Sequence, residues 1–277
     1  SFLVEKNFEL GEGRDRFISR GQTIINGNLD AGSGNDLIEV RGESPVGYGV
    51  IDVAGHVVLG DGDDKFLLKS PLEESVVKQK LNLGAGDDEV EFEIGSTGTP
   101  AFASVSYAKL DGGAGSDTLD FTRSGTSTHS QTLTLTFGNA TNFENIVGSS
   151  GPETIQGDSN ANTLVGDGDQ SAISSSPVGT ATIYGYGGDD LLVGGSGGTS
   201  ENHGGNSFAT RVYSASQYVS NQNSTDNTGN DNLYGGSGDD TLIGSAGDNI
   251  LDGGTGADTI YSGNGSDTIV VRSGDGG

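Results

Sequence analysis

The chain has 277 residues, 50 of them glycine and none of them cysteine, methionine or tryptophan. Its 39 acidic residues against 13 basic ones give a net charge of −26, which leaves no basic surface for nucleic acid or anionic lipid and makes a compact state self-repelling unless cations neutralise it. The lack of cysteine excludes disulfides, thiolate zinc sites and thiol catalysis, and no apolar run reaches the roughly eighteen residues that a membrane helix needs.

From the N-terminus a short pattern recurs, in which two glycines flank one residue and an aspartate stands two positions later. The copies are Gly11, Gly13 and Asp15; Gly32, Gly34 and Asp36; Gly60, Gly62 and Asp64; Gly84, Gly86 and Asp88; and Gly113, Gly115 and Asp117. The aspartates are 21, 28, 24 and 29 residues apart, more than two nine-residue units occupy. The spacing predicts enlarged coils, with a column of metal turns along one edge and the far side closed by metal-free loops near 43–49, 70–75 and 95–101. Alternation in residues 90–94 puts Val90, Phe92 and Ile94 on one strand face. Residues 121–147 read as one long return containing a strand over 131–137.

From residue 148 a strict nine-residue register begins. Glu153 and Asn162 stand where aspartate is expected in the first two copies, a third breaks off after residue 166 and resumes near 182, and a fourth, at 185–193, carries Gly185, Gly187 and Asp190. A fifth opens at 194, takes a polar insertion over about 198–228 and closes with Asp231. This divides the chain into an enlarged-coil β-solenoid over 1–147 and a nonapeptide roll over 148–277, with insertions near 169–181 and 198–228.

The last run, 235–270, is four unbroken copies: GGSGDDTLI, GSAGDNILD, GGTGADTIY and SGNGSDTIV. Each fits GGxGxDxUx with U a large aliphatic residue. Glycines at positions 1, 2 and 4 permit positive φ, the position-6 acids Asp240, Asp258 and Asp267 supply carboxylates, and turn carbonyls add the hard oxygens that Ca²⁺ prefers. Gly235, Ser237, Gly253, Thr255, Gly263 and Gly265 complete the candidate metal turns. Position 8 (Leu242, Leu251, Ile260, Ile269) points inward.

These repeats resemble the RTX (repeats-in-toxin) family. The resemblance implies an all-β, right-handed parallel β-helix (β-roll), export from a Gram-negative bacterium by type I secretion, and folding on extracellular calcium. Successive units alternate between the two edges of such a roll. Counting from Asp117, one edge collects Asp15, Asp36, Asp64, Asp88, Asp117, Glu153, Asp231, Asn249 and Asp267, and the other collects Asn162, Asp190, Asp240 and Asp258. Both insertions then project from the first edge. Filling the gaps between neighbours gives about ten calcium ions, which bring the charge from −26 to about −6.

Other chemistry is weakly signalled. Residues 194–198 satisfy GxSxG, but a nucleophile elbow needs a strand before it and a helix after it, and here the motif lies in a glycine turn. His56, His129 and His203 are scattered and none is paired as a zinc helix requires. The threonines at position 7 read as ordinary outward strand residues. The reading is therefore a non-enzymatic, calcium-dependent folding segment of an exported surface or matrix protein, such as an adhesin or a surface layer. Its expected partners are calcium, cell-surface polysaccharide or other copies of itself, with no nucleic acid and no membrane insertion. The alternative is the calcium module of a secreted enzyme acting on polysaccharide or protein. The missing initial methionine points to a processed or excised piece of a longer chain.

Overall fold

A computed structural model describes residues 2–41, 50–69, 76–77, 80–92, 110–121, 131–136, 140–148, 153–166, 180–195 and 229–272. Among these, all regular structure is β-strand and the neighbouring coils pair in parallel, so the fold is a parallel β-helix. The expected loops at 43–49, 70–75 and 95–101 and both insertions lie outside the described residues.

One compact unit comprises Ser1–Asp120 and Thr136–Phe143. Each of its first coils has three strands: Phe2–Val4, Phe8–Glu12 and Arg16–Ser19; then Gln22–Ile25, Leu29–Ser33 and Leu37–Arg41; then Val50–Val53, Val57–Asp61 and Lys65–Lys69; then Val76–Val77, Leu81–Ala85 and Glu89–Phe92. Equivalent strands pair a coil apart, as in Leu29↔Val57 and Ile38↔Phe66. The enlarged coils are therefore triangular: a third strand row, Phe2–Val4 to Val76–Val77, forms part of the side that the sequence assigned to loops. Val, Ile and Thr dominate that row, and their stiff side chains suit a half-buried pleat.

The inward residues stack like on like. Ile38, Phe66, Val90 and Leu119 form one buried column, and Leu29, Val57, Leu81 and Leu110 form another. Each such side chain contributes about 1.5–3 kcal/mol by leaving water. The corner between the first two strand rows carries no metal turn. It is an amide ladder, in which Asn7 Oδ1 accepts the Asn28 N–H at 3.0 Å and Asn28 Oδ1 accepts the His56 N–H at 2.9 Å.

The second unit comprises Phe121–Leu135 and the described chain from Glu144 onward. Its coils have two strands. One row is Asn145–Val147, Thr163–Val165, Leu191–Val193, Thr241–Ile243 and Thr259–Tyr261; the other is Gln131–Thr134, Glu153–Gln156, Ala181–Gly187, Asn232–Ser237, Ile250–Thr255 and Thr268–Val270. Position 8 is buried as expected at Leu164, Leu192, Leu242 and Leu251, while Ile269 in the last coil is 48% exposed. Position 9 is also buried, with Val147, Val165, Val193 and Ile243 packed as one cluster, so both residues drive the short strands inward.

The edge count needs correcting. Phe121, the residue after the strand Thr118–Asp120, donates its N–H to Val147 O at 2.8 Å, and Val147 heads the row of Asn162, Asp190, Asp240 and Asp258. The segment leaving Asp117 thus joins that row, whereas Glu153, Asp231, Asn249 and Asp267 line the other. Each insertion lies between a strand of the Val147 row and a strand of the Glu153 row, Thr163–Val165 and Ala181–Gly187 in one case and Leu191–Val193 and Asn232–Ser237 in the other, so both fall at the edge of Glu153 and Asp231 to which the sequence assigned them. The count failed because 121–147 hides a corner with no glycine turn. Ala140–Thr141 leads through Asn142, at φ 57°, to Glu144, whose carbonyl accepts the Thr163 N–H as position-6 carbonyls do elsewhere. Asparagine tolerates this left-handed conformation better than other residues with a Cβ.

Candidate metal centre

At the regular corners the position-6 residue, buried except at the half-buried Asp15, Asp258 and Asp267, is bonded in the same way. Asp36 Oδ1 accepts the Asp15 N–H at 2.7 Å, Asp64 that of Asp36 at 2.7 Å, Asp88 that of Asp64 at 2.7 Å, and Asp117 that of Asp88 at 2.9 Å. In the second unit Asp190 accepts from Asn162, Asp240 from Asp190 and Asp258 from Asp240, while on the other row Asp231 accepts from Ala181, Asn249 from Asp231 and Asp267 from Asn249. One carboxylate oxygen thus satisfies a peptide N–H of the preceding coil, a task asparagine performs equally well.

The second oxygen is left over. Oδ2 of Asp36, Asp64, Asp88, Asp190, Asp231 and Asp240 is buried and accepts no hydrogen bond. It points at the start of its own turn: a Cβ on Gly235 would lie 2.3 Å from Asp240 Oδ2, and one on Gly253 2.2 Å from Asp258 Oδ2. Burial, the largest cause, pushes the carboxyls of Asp64, Asp88, Asp190 and Asp231 up to about 7 and that of Asp240 up to about 6, and it also raises Asp36. Buried anions of this kind need a counter-charge.

Carbonyls line the gap between coils. A Cβ on Gly32 would lie 1.8 Å from Gly11 O and one on Gly34 2.1 Å from Gly13 O, and the same holds for Gly60 on Gly32, Gly84 on Gly60, Gly86 on Gly62 and Gly115 on Gly86. In the second unit Gly236 faces Tyr186 O, Gly254 faces Gly236 O and Gly265 faces Gly247 O. Only glycine leaves this space open. Hard carbonyl and carboxylate oxygens around one small volume are the donor set of Ca²⁺, and the residues fit it.

The positive φ angles belong to positions 2 and 4, as in Gly236 at 120° and Gly238 at 132°, and no position-1 glycine shares them. Of the sequence candidates, Gly11, Gly13, Gly32, Gly34, Gly60, Gly62, Gly84, Gly86, Gly113, Gly115, Gly263 and Gly265 hold positions 2 and 4. Gly185, Gly235 and Gly253 hold position 1. Gly187, Ser237 and Thr255 hold position 3, where Thr255 O already accepts the Gly238 N–H. The sequence reading passed over Gly188, Gly236, Gly238, Gly254 and Gly256, although each is the later glycine of a GGxG or xGG run.

It also missed position 5. Asn35 Oδ1 accepts the Asp63 N–H, Asp63 Oδ1 that of Asp87, and Asp87 Oδ1 that of Ser116, at 3.2, 3.1 and 2.9 Å. Asp189 to Asp239, Asp239 to Ala257, Asn230 to Asp248 and Asp248 to Ser266 repeat the bond at 2.8–2.9 Å. Its signal was the acidic doublet, as in Asp63-Asp64 and Asp239-Asp240.

A family model described as the RTX calcium-binding nonapeptide repeat (four copies) matches residues 109–122, 143–170, 182–199, 225–260 and 243–276. These segments are RTX calcium-binding repeats. Calcium is the ligand of these repeats. No curated protein matches the chain. The wide-spaced turns of Asp15, Asp36, Asp64 and Asp88 lie before the first matched residue, yet they share the carboxylate ladder and glycine crowding of the matched ones.

Another acidic cluster lies on the strands themselves. Glu89, Glu91 and Asp120 are buried together, and the Lys65 ammonium stands 2.5 Å from Glu89 Oε1 and 3.1 Å from Glu91 Oε2. Burial outweighs the Lys65 attraction and pushes the Glu89 carboxyl up to about 8. Here the protein brings its own cation.

Proposed function

We infer that the chain is a calcium-dependent folding segment of an exported bacterial protein that works outside the cell, in a surface, adhesive or matrix role. The observation that carries the reading is the row of buried Oδ2 atoms with no donor, which at Asp190 and Asp240 share their space with the Gly235 and Gly253 carbonyls of the adjacent coil. Without cations these anions oppose folding; with them they hold one coil to the next. Nine coil-to-coil steps between position-6 Asp or Asn residues carry the ladder, four in the first unit and five in the second, so about nine ions is the expected load. The sum of ten from the sequence also counted a step from Asp117 to Glu153.

The module's work is structural: its clustered acids serve the turns or, at Glu89, Glu91 and Asp120, surround Lys65, and the GxSxG match begins in a turn at Gly194 and Gly195. No described helix is long and apolar enough to cross a membrane. Cell-surface polysaccharide and further copies of the chain are the proposed partners.

Circular dichroism tests the core of the reading. In excess chelator the chain is expected to be largely unordered, and millimolar Ca²⁺ should restore the strand signal. Mg²⁺ should substitute poorly, since its small octahedral shell does not suit a cage of many fixed oxygens. Full strand content in chelator would overturn the proposal.

A further inference from the structure

Positions 5 and 6 of consecutive turns bond to each other in opposite directions. The Asp240 carboxylate reaches back to the Asp190 N–H at 2.9 Å, while the Asp189 carboxylate reaches forward to the Asp239 N–H at 2.9 Å. The same reciprocal pair joins Asp239-Asp240 to Ala257-Asp258 at 2.8 and 3.1 Å, and Asn230-Asp231 to Asp248-Asn249 at 2.8 Å in both directions. It recurs at Asp248-Asn249 to Ser266-Asp267, and in the first unit at Asn35-Asp36 to Asp63-Asp64, onward to Asp87-Asp88 and to Ser116-Asp117. The receiving residue at position 5 varies among Asp, Ser and Ala, because only its N–H is used. The giving residue is always Asp or Asn, because only these place an acceptor at that reach.

We propose that the position-5 Asp and Asn side chains are positioning residues of the calcium turns, each holding the turn of the following coil so that its carbonyls face the cation. The proposal rests on the calcium reading above. The position-4 glycine and position-6 acid flank the residue whose N–H is held, so fixing that peptide fixes both ligand-bearing neighbours. Position-5 side chains are exposed, as at Asp63, Asp87, Asp239 and Asp248. Their contribution is therefore the directed bond rather than a buried charge. The polarity has a consequence: Asp239 governs the turn that ends in Asp258, not the turn that ends in Asp190.

The test compares Asp239→Ala with Asp239→Asn in the full chain, using calcium titrations followed by circular dichroism and amide exchange in saturating calcium. Asn keeps the acceptor and drops the charge. The expected result is a calcium midpoint for Asp239→Asn within about twofold of the parent and one for Asp239→Ala raised roughly fivefold, the scale of one exposed hydrogen bond. The Ala257 N–H should lose protection in the Ala variant alone, with the Asp239 N–H, held by Asp189, unchanged. Asp189→Ala should move the loss of protection to Asp239, which keeps the test decisive if one variant folds poorly. Equal weakening by Asn and Ala would overturn the proposal in favour of a charge effect, and an unchanged Ala variant would overturn it outright. A parent chain with no calcium response would instead overturn the underlying reading, and the proposal with it.

Discussion

Ser245 stands at position 2 of its turn with φ at 67°, where the neighbouring copies have glycine, and its buried hydroxyl has no hydrogen-bond partner. Both features cost stability, the backbone about 1–2 kcal/mol and the hydroxyl a comparable amount. Ser245→Gly is expected to raise the thermal midpoint in calcium, with a gain of at least about 1 kcal/mol by denaturant titration. Asn249 shows how an amide can stand in for a metal: its Nδ2 donates to Gly247 O at 3.2 Å and Ser262 O at 3.5 Å, carbonyls that elsewhere would face a cation. Asn249→Asp keeps the ladder bond to Asp231 and removes that internal donor. Isothermal titration should show one additional calcium ion or a tighter final step; no change in stoichiometry or midpoint would mean that the amide is not occupying a metal position. At the strand cluster the prediction has the opposite sign. Lys65→Met strands Glu89, Glu91 and Asp120 without their ammonium, and unfolding in urea should show a loss of about 3–5 kcal/mol at neutral pH.

The turn was the most legible element, because its constraint is local. Tyr186 and Ser245 hold position 2 of their turns, but a glycine there, as at Gly236, has a carbonyl of the adjacent coil where its Cβ would be, and no side chain can be added to it without displacing backbone. Gly236→Ala would set a methyl 2.3 Å from Tyr186 O at φ 120°, and a loss of more than about 2 kcal/mol in calcium-bound stability is expected from thermal unfolding. Aspartates at fixed offsets from such glycines could therefore be read directly, including those 21 to 29 residues apart. The corner at Asn142 was not legible, since it turns with one left-handed asparagine and no glycine pair. Missing it reversed the edge assigned to every later copy. The third strand row was hidden for another reason. Short runs such as Gln22–Ile25 and Val50–Val53 carry no turn signature, and only their register with neighbours makes them strands. The position-5 bonds were missed because their receiving partners share no side chain, only a peptide N–H.

At the scale of the molecule, the reciprocal pair between turns recognises two residues and ignores how much chain lies between them. The Asp190 N–H meets Asp240, 50 residues on, at 2.9 Å, and the Asp240 N–H meets Asp258, 18 residues on, at 3.1 Å. Closing the longer excursion costs only about 0.9 kcal/mol more than closing the shorter one. Deleting residues 198–229 joins Gly197 to Asn230 and restores an unbroken GGSGNDNLY. That shortened chain should fold at the parent's calcium midpoint within about twofold, with a stability gain no larger than about 1 kcal/mol, measured by calcium titration and denaturant unfolding. A large loss of stability would show that the inserted residues are structural. Coils assembled in this way behave like pages bound at the spine, where the width of any one leaf is free to change. New surface can then be acquired one coil at a time, without renegotiating the metal-bound margin that keeps the leaves in order.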